Sequence, residues 1–574
     1  MKTYAFILLC TVLPSSMEVN HTYPKGDFVS PVRREIKLSG TFGELRTNHF
    51  HAGLDIRSLN KTIGDSIYAA SGGYISRIKI DEYGYGNAIF IDHPDGYTTL
   101  YGHLDHFTDE IQQYVKEQQY LQQSFEVDLN PGPDKFPVSQ MQQIGFMGNT
   151  GSSYGAHLHF EIRHTNDQTP VNPLHFGFTI TDHRAPVIQQ LIVYEMDANG
   201  QLLNSRIMQP EMTEDSNYQI ALPIELPSEK VAFAVRTYDT EDNDNENQNG
   251  IYRIGCKAGD EMGFAFSMDE IPFELARTIN AHIDYKEKIN ENHFFHRCFP
   301  LEGNKLPIYS IGREQGKFAL NSEFPRHFSI TTSDFNGNAS TLNFQVVRSQ
   351  SMAPRSLEPV NYNAIGVPDE VTIITQQGIQ AVWPENCFYE KIPLSITKVS
   401  RTKVGNFSPY FEISPVETPV QDYFKLSIDG HFVPPSLISH AFIARCDPNG
   451  SVFNCGGSWI GNNLTTDVRE MGTYAIMVDT IPPKIIPLHF KENMSGWAQM
   501  DFRISDNMRI REKGRGIIYA VFVDNSWILM SLDGKTGILT HQFDGRILQG
   551  DHQLLIKVTD DRGNVSELEK SFTL

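Results

Sequence analysis

Apolar runs in this chain are short and alternating, and Gly, Pro, Asn and Asp break them at intervals of about 8–12 residues. That rhythm leaves little room for long helices. It directs the chain towards antiparallel strands assembled as sandwiches or barrels, so an all-β protein is expected. Only Thr108 to Gln123 carries a clear helical period, with a weaker one from Glu270 to Ile283. Between Phe125 and Gln143, the prolines Pro131, Pro133 and Pro137 predict an inserted loop. At 574 residues the chain is too long for a single core, and a usual domain size of about 150 residues predicts three to five domains.

Two distant segments repeat one another. Asp334-Phe335-Asn336-Gly337-Asn338-Ala339-Ser340 matches Asp560-Asp561-Arg562-Gly563-Asn564-Val565-Ser566, and upstream Asp182 to Ile188 (DHRAPVI) matches Asp479 to Ile485 (DTIPPKI). Each pair brackets alternating strands, which predicts two related β-sandwich modules. The Asp-x-x-Gly-Asn turn resembles the last hairpin of bacterial immunoglobulin-like modules. Residues 349–478 between them are β-rich with no readable motif.

Lys2, the apolar run Ala5 to Leu13, and then Pro14, Ser15 and Ser16 have the order of a secretory signal, so residues 1–17 are expected to be a signal peptide. Export to a periplasm or to the outside follows, with no transmembrane segment in the mature chain. Counting 48 Lys and Arg against 69 Asp and Glu gives a net charge of −21, which repels phosphate backbones, and no nucleic acid partner is expected. Beyond the leader stand Cys256, Cys298, Cys387, Cys446 and Cys455, an odd number with no CxxC spacing. Cys446 and Cys455 flank the turn Asp447-Pro448-Asn449-Gly450, which allows a bridge across a hairpin; the other reading is five buried thiols. The acidic run Asp239 to Asn249 clusters oxygens as a calcium loop does, but it lacks the Gly and terminal Glu of an EF-hand and reads as a solvated loop.

Chemistry concentrates between His51 and Arg163. In Gly155-Ala156-His157-Leu158-His159-Phe160-Glu161-Ile162-Arg163 the even positions from Leu158 are apolar and the odd ones polar. As a strand it buries one face and presents two imidazoles side by side on the other. His51-Ala52-Gly53-Leu54-Asp55 adds a second His and a carboxylate, with Gly53 allowing a tight path between them. Imidazole nitrogen and carboxylate oxygen are zinc donors, and a catalytic zinc takes three protein ligands and leaves the fourth position open. Tyr101-Gly102-His103-Leu104 supplies a further His. His49, two residues before His51, could also be taken as a ligand, and His93 and His106, beside turns, read as solvated or supporting residues.

These segments, with the Tyr85-Gly86-Asn87, Pro94-Asp95-Gly96 and Gly148-Asn149-Thr150-Gly151-Ser152 turns between them, resemble the lysostaphin-type (LytM-like) zinc metallopeptidases that cut the peptides of bacterial cell walls. The match runs over about residues 38–175. It implies a small antiparallel β-sheet domain with zinc held by His51, Asp55 and His159. His103 and His157 would be the catalytic histidines that orient water and stabilise the oxyanion. Ala156 stands where the family often has Pro. Gln142-Gln143 replaces the usual Lys-Gly, after an enlarged 125–143 loop of the kind that walls the groove, so substrate preference is expected to be the chain's own.

The domains expected are thus the peptidase over 25–180, a β-sandwich over 181–348, the β-rich stretch 349–478 and an immunoglobulin-like sandwich over 479–574. The function expected is an exported zinc endopeptidase for peptidoglycan stems or cross-links, with the sandwiches binding a wall or protein partner. The alternatives are a non-hydrolytic activator of another wall hydrolase and a peptidase for extracellular protein.

Overall fold

The computed structural model describes residues 23–574 except 215, 243–246, 321–323, 350, 354, 356–360, 400–405, 512 and 515; the expected signal peptide lies outside the described residues. The fold is all-β. The N-terminal part is an eleven-stranded, wholly antiparallel sheet. Its main strands are β1 (Leu38–Gly40), β2 (Leu54–Arg57), β3 (Gly73–Ile80), β4 (Asn87–Asp92), β5 (Tyr97–Phe107), β6 (Pro137–Val138), β7 (Gln143–Met147) and β8 (His157–His164). Across the sheet the order is β1-β2-β8-β5-β4-β3-β6, with β7 on β5. Helix α1 (Asp109–Gln122) covers the expected helical stretch and buries Ile111 and Val115. The strands bury their apolar alternates, among them Ile56, Leu158, Phe160 and Ile162, in one continuous core.

Three two-sheet sandwiches follow. In the first, Val187–Met196 and Lys230–Tyr238 face the sheet of Arg326–Ser333 and Ala339–Arg348 across a core that includes Val193, Phe233, Phe328 and Phe344. The last pairs the sheet of Gln499–Ser505 and Ile538–Gln542 with that of Asp551–Thr559 and Val565–Thr573 around Met500, Phe502 and Ile556. The 349–478 stretch contains a third sandwich, built on Trp383, Phe411, Phe424 and Tyr474. It lacks the Asp-x-x-Gly-Asn turn, which is why repetition did not reveal it.

Several expectations need correction. The 125–143 segment is not a bare loop: Val127–Leu129 and Pro137–Val138 both pair with β3. That places it at the sheet edge opposite β1 and β2, away from the cleft described below. The Cys446–Cys455 bridge does not form, and all five cysteines are buried thiols. Their hairpin exists, but Cys455 stands opposite Ile443 and Cys446 opposite Val452. Positions 443 and 446 face opposite sides of one strand, so the two sulfurs enter different cores. His93 is not solvated; it is buried, with its ring nitrogens on Gly72 O at 2.9 Å and Thr99 Oγ1 at 2.8 Å. The ends of the acidic run are not solvated either: Asp239, Glu241 and Asn249 are buried.

Candidate metal centre

Antiparallel pairing sets His159 of β8 directly opposite Asp55 of β2 on one side and Gly102 of β5 on the other. Side chains of paired residues share a face, so Asp55, His157, His159 and the residue after Gly102 meet above the sheet. Gly53 earns its place by close approach rather than by a turn: a Cβ there would lie 2.3 Å from Phe160 O. His51 arrives from a hairpin, Leu45–Arg46 with His49–Phe50, that stands off the sheet. His103 adopts φ 59°, a left-handed conformation unusual for a residue other than Gly, which turns its ring into the group at a break in the β4–β5 register.

The result is a nearly equilateral donor triangle. His51 Nε2 lies 3.0 Å from Asp55 Oδ1 and 3.0 Å from His159 Nδ1, and His159 Nδ1 lies 2.9 Å from Asp55 Oδ1. His157 Nε2 approaches the same Asp55 oxygen at 3.4 Å. The His103 ring packs 4.8 Å from that of His157 and 5.8 Å from that of His159, centroid to centroid.

Neighbours fix which nitrogen of each ring is free. His51 Nδ1–H donates to Thr41 O at 2.8 Å, leaving the Nε2 lone pair for the triangle. His159 Nε2–H donates to Glu161 Oε1 at 2.8 Å, leaving Nδ1. His103 Nδ1–H donates to Thr150 O at 2.8 Å and His157 Nδ1–H to Gly155 O at 2.9 Å, so both turn Nε2 towards the group. Glu161 is itself clamped by Arg163 Nε at 2.7 Å and Tyr85 Oη at 2.8 Å. Burial works against its charge, but Arg163 and His159 outweigh it and hold the carboxyl at about 2. Burial also opposes charge on Asp55, yet the neighbouring His51, His157 and His159 keep it well below the usual carboxylate range. Desolvation, with His159 and His157 nearby, pushes His103 down to about 3, so its ring is neutral.

Zinc fits this donor set. Bonds of about 2.0–2.1 Å in a tetrahedron place ligand atoms about 3.3 Å apart, close to the triangle's edges. The three lone pairs converge, and the outer nitrogens of both ligand rings are occupied by an oxygen acceptor, the usual arrangement behind metal-bound imidazoles.

The five residues open onto a cleft of about 1040 Å³. One wall is the sheet with Tyr85 and the turn Ser152 to Ala156, from which Tyr154 projects fully exposed. Asn247, Phe273 and Ala276 of the first sandwich form part of the other. The first sandwich also grips the His51 hairpin: Phe50 sits in the sandwich core against the His282 ring at 5.5 Å, and Asn280 Nδ2 donates to Asn48 Oδ1 at 3.2 Å. The last sandwich reaches the opposite rim, where Lys535 Nζ donates to Asn149 O and, at 3.1 Å, to Ser153 O, while Tyr83 Oη donates to Gly534 O at 3.3 Å.

All five predicted site residues therefore come together. His49 lines the cleft outside the triangle, and His106 pairs with Asp105 and stacks on Phe146. Sequence reasoning missed Arg46, whose guanidinium meets the second Asp55 oxygen at 2.9 Å, and gave no role to Glu161. The signal for Glu161 was available, since it lies two residues beyond His159 on the same strand face.

A family model for Peptidase family M23 matches residues 49–134, and one for a Zu5-like domain matches residues 367–479, the middle sandwich. Over 143 residues the chain is 34% identical to the DD-carboxypeptidase/endopeptidase Mpg of Neisseria meningitidis, which covers 24% of this chain and 26% of that protein. The chain thus spans about a quarter of that relative's length. Over 113 residues it is 33% identical to the lipoprotein NlpD of Yersinia enterocolitica, 20% of this chain and 90% of NlpD. The catalytic domain of lysostaphin from Staphylococcus simulans is 25% identical over 25% of this chain and 91% of that domain, with a TM-score of 0.19. The sheet is a peptidase domain. By the M23 model and the near-complete span of NlpD, the chain belongs to peptidase family M23.

Proposed function

We propose that this chain is an exported zinc metalloendopeptidase that hydrolyses peptide bonds of peptidoglycan stems or cross-links, with His51, Asp55 and His159 as metal ligands and His103 and His157 as catalytic residues. The observation that carries the reading is the convergence of five correctly oriented side chains on one open cleft. A zinc ion held by the triangle supplies a Lewis acid that polarises a carbonyl and acidifies water.

The protein's own groups do the rest. Glu161 and Thr41 O lock the ligand rings, so little reorganisation is needed on metal binding. His103 and His157 present two nitrogens, each fixed through its opposite side to a backbone carbonyl. One neutral imidazole can take a proton from water, and the other, once protonated, can donate to a carbonyl oxygen as it gains charge. The cleft is open and walled by Tyr154 and Phe273. Nothing in the donor set is missing, which disfavours a purely non-hydrolytic role.

The test is mass spectrometry of purified peptidoglycan after incubation with the mature chain, with and without a zinc chelator. New peptide ends that vanish with chelator are expected. An intact wall in both samples, with zinc present in the protein, overturns the reading.

A further inference from the structure

A second oxygen-rich cluster lies at the seam between the peptidase sheet and the first sandwich. Asp182 is on the connection entering the sandwich, Asp239 directly follows Lys230–Tyr238, and Asp334 directly follows Arg326–Ser333. Each offers a carboxylate oxygen, the three lie within 4.8 Å of one another, and all three residues are buried. Hydrogen bonds account for some of their capacity. Asp182 Oδ1 accepts Arg184 N–H at 3.0 Å, and Asp334 Oδ1 accepts Gly337 N–H at 2.7 Å and Asn338 N–H at 2.8 Å. Asp239 Oδ1, however, has no hydrogen-bond partner among the described residues.

A fourth group points to a ligand independently. Asn249 is 2% exposed, and its Oδ1 also has no partner among the described residues. Asp239 and Asn249 exchange two backbone hydrogen bonds of 2.9 Å, so they are directly opposite and their side chains share a face. Both line the same cleft of about 40 Å³ as Asp182 and Asp334. Two buried oxygens with nothing to accept from, beside two buried carboxylates, are costly unless a cation occupies the space between them. Burial first, and then Asp182 and Asp334, push Asp239 up to about 8; burial and Asp182 raise Asp334 to about 6. A bound cation would offset the repulsion among these three carboxyls.

The same wiring recurs in the last sandwich. Asp479, Asp506 and Asp560 again bring three carboxylate oxygens within 4.8 Å. Asp479 Oδ1 accepts the N–H two residues on, Asp560 Oδ1 accepts Asn564 N–H, and Asn564 Nδ2 donates to Asp479 O as Asn338 Nδ2 does to Asp182 O. Asp506 Oδ1 is the buried oxygen without a partner among the described residues, the counterpart of Asp239 Oδ1. One sandwich could hold such a cluster by accident; two with matching bonds indicate a built feature.

We propose that Asp182, Asp239, Asp334 and the Asn249 side-chain oxygen form a calcium site at this seam. The donors are all oxygens, mostly carboxylate, which selects a hard cation over zinc, and irregular geometry suits calcium better than the strict octahedron of magnesium. Its place gives it a task. The cleft is also lined by Thr41, whose carbonyl holds His51, and Glu241 beside it accepts Leu38 N–H at 3.2 Å. Calcium there ties the start of the peptidase sheet to the sandwich.

The experiment uses the full mature chain, freed of calcium on a chelating resin and reloaded with zinc. Bound calcium is counted by elemental analysis after dialysis, and Tm is measured with and without millimolar calcium or magnesium. Expected are a higher Tm with calcium than with magnesium, and the loss of one calcium per chain and of most of the Tm gain in Asp239→Asn. In calcium-free buffer Asp239→Asn is expected to be about as stable as the parent, because burial and the neighbouring carboxylates already hold that carboxyl largely protonated at neutral pH. If that variant does not fold, Asn249→Ala, which keeps every carboxylate, is expected to bind calcium more weakly. Equal calcium content in the parent and the folded variant, or equal Tm shifts with calcium and magnesium, overturns the proposal.

Discussion

The two halves of the candidate centre are held in different ways. His103 and His157 depend on backbone carbonyls of short turns within the peptidase sheet itself, Thr150 and Gly155. His51 instead sits at the end of a hairpin whose Phe50 is buried in the core of the first sandwich. The half proposed to handle protons is thus a local property of the sheet, whereas the half proposed to hold the metal is shared between two cores more than a hundred residues apart.

Several measurements can break or sharpen that contrast. The largest effect is expected from His51→Ala, Asp55→Ala or His159→Ala, each of which should abolish zinc content by elemental analysis together with all wall hydrolysis. His103→Ala and His157→Ala should keep zinc and lose about 10²–10⁴-fold in turnover; loss of zinc in these variants as readily as in the first set would erase the distinction between the halves. Phe50→Ala touches neither half directly. It should lower stability by about 3 kcal/mol in denaturant titration and reduce zinc occupancy, while the local half predicts no such sensitivity in turnover per bound zinc. Glu161→Gln should weaken zinc affinity by about 10–100-fold in competition with a chelator, since its partner ring loses its charged acceptor. Lys535→Ala, at the exposed rim, should change stability by less than about 1 kcal/mol and leave zinc content unchanged.

The sheet class was legible from local pattern, and the five proposed site residues from the resemblance of their short motifs to a known peptidase family. Alternation along His157–His164 specifies a strand, and the register that pairs His159 with Asp55 follows once the apolar face is buried. What could not be read depends on distant chain. Nothing around Leu45–Phe50 announces that Phe50 will pack against His282, and nothing in Phe273 announces a cleft wall. The 125–143 segment was expected at the groove because loops often line grooves, but pairing with β3 takes it to the far edge. The acidic run looked solvated because its composition is polar; burial of Asp239 and Asn249 comes from facing strands supplied by other segments. Cys446 and Cys455 were close enough in sequence, and only the parity of their positions separated them.

The contact between Lys535 and the rim residues Asn149 and Ser153 also orders events in time. Synthesis proceeds from the N-terminus, and domains fold as they emerge. Every strand carrying a site residue has been made by His164, yet Phe273 is added about a hundred residues later and Lys535 well over three hundred residues later. A growing chain therefore passes through stages in which all five side chains exist but the cleft lacks first one wall and then one rim. The finished cleft belongs only to a chain that has grown past Lys535, so a product truncated before that residue would carry the same five side chains in a differently shaped groove.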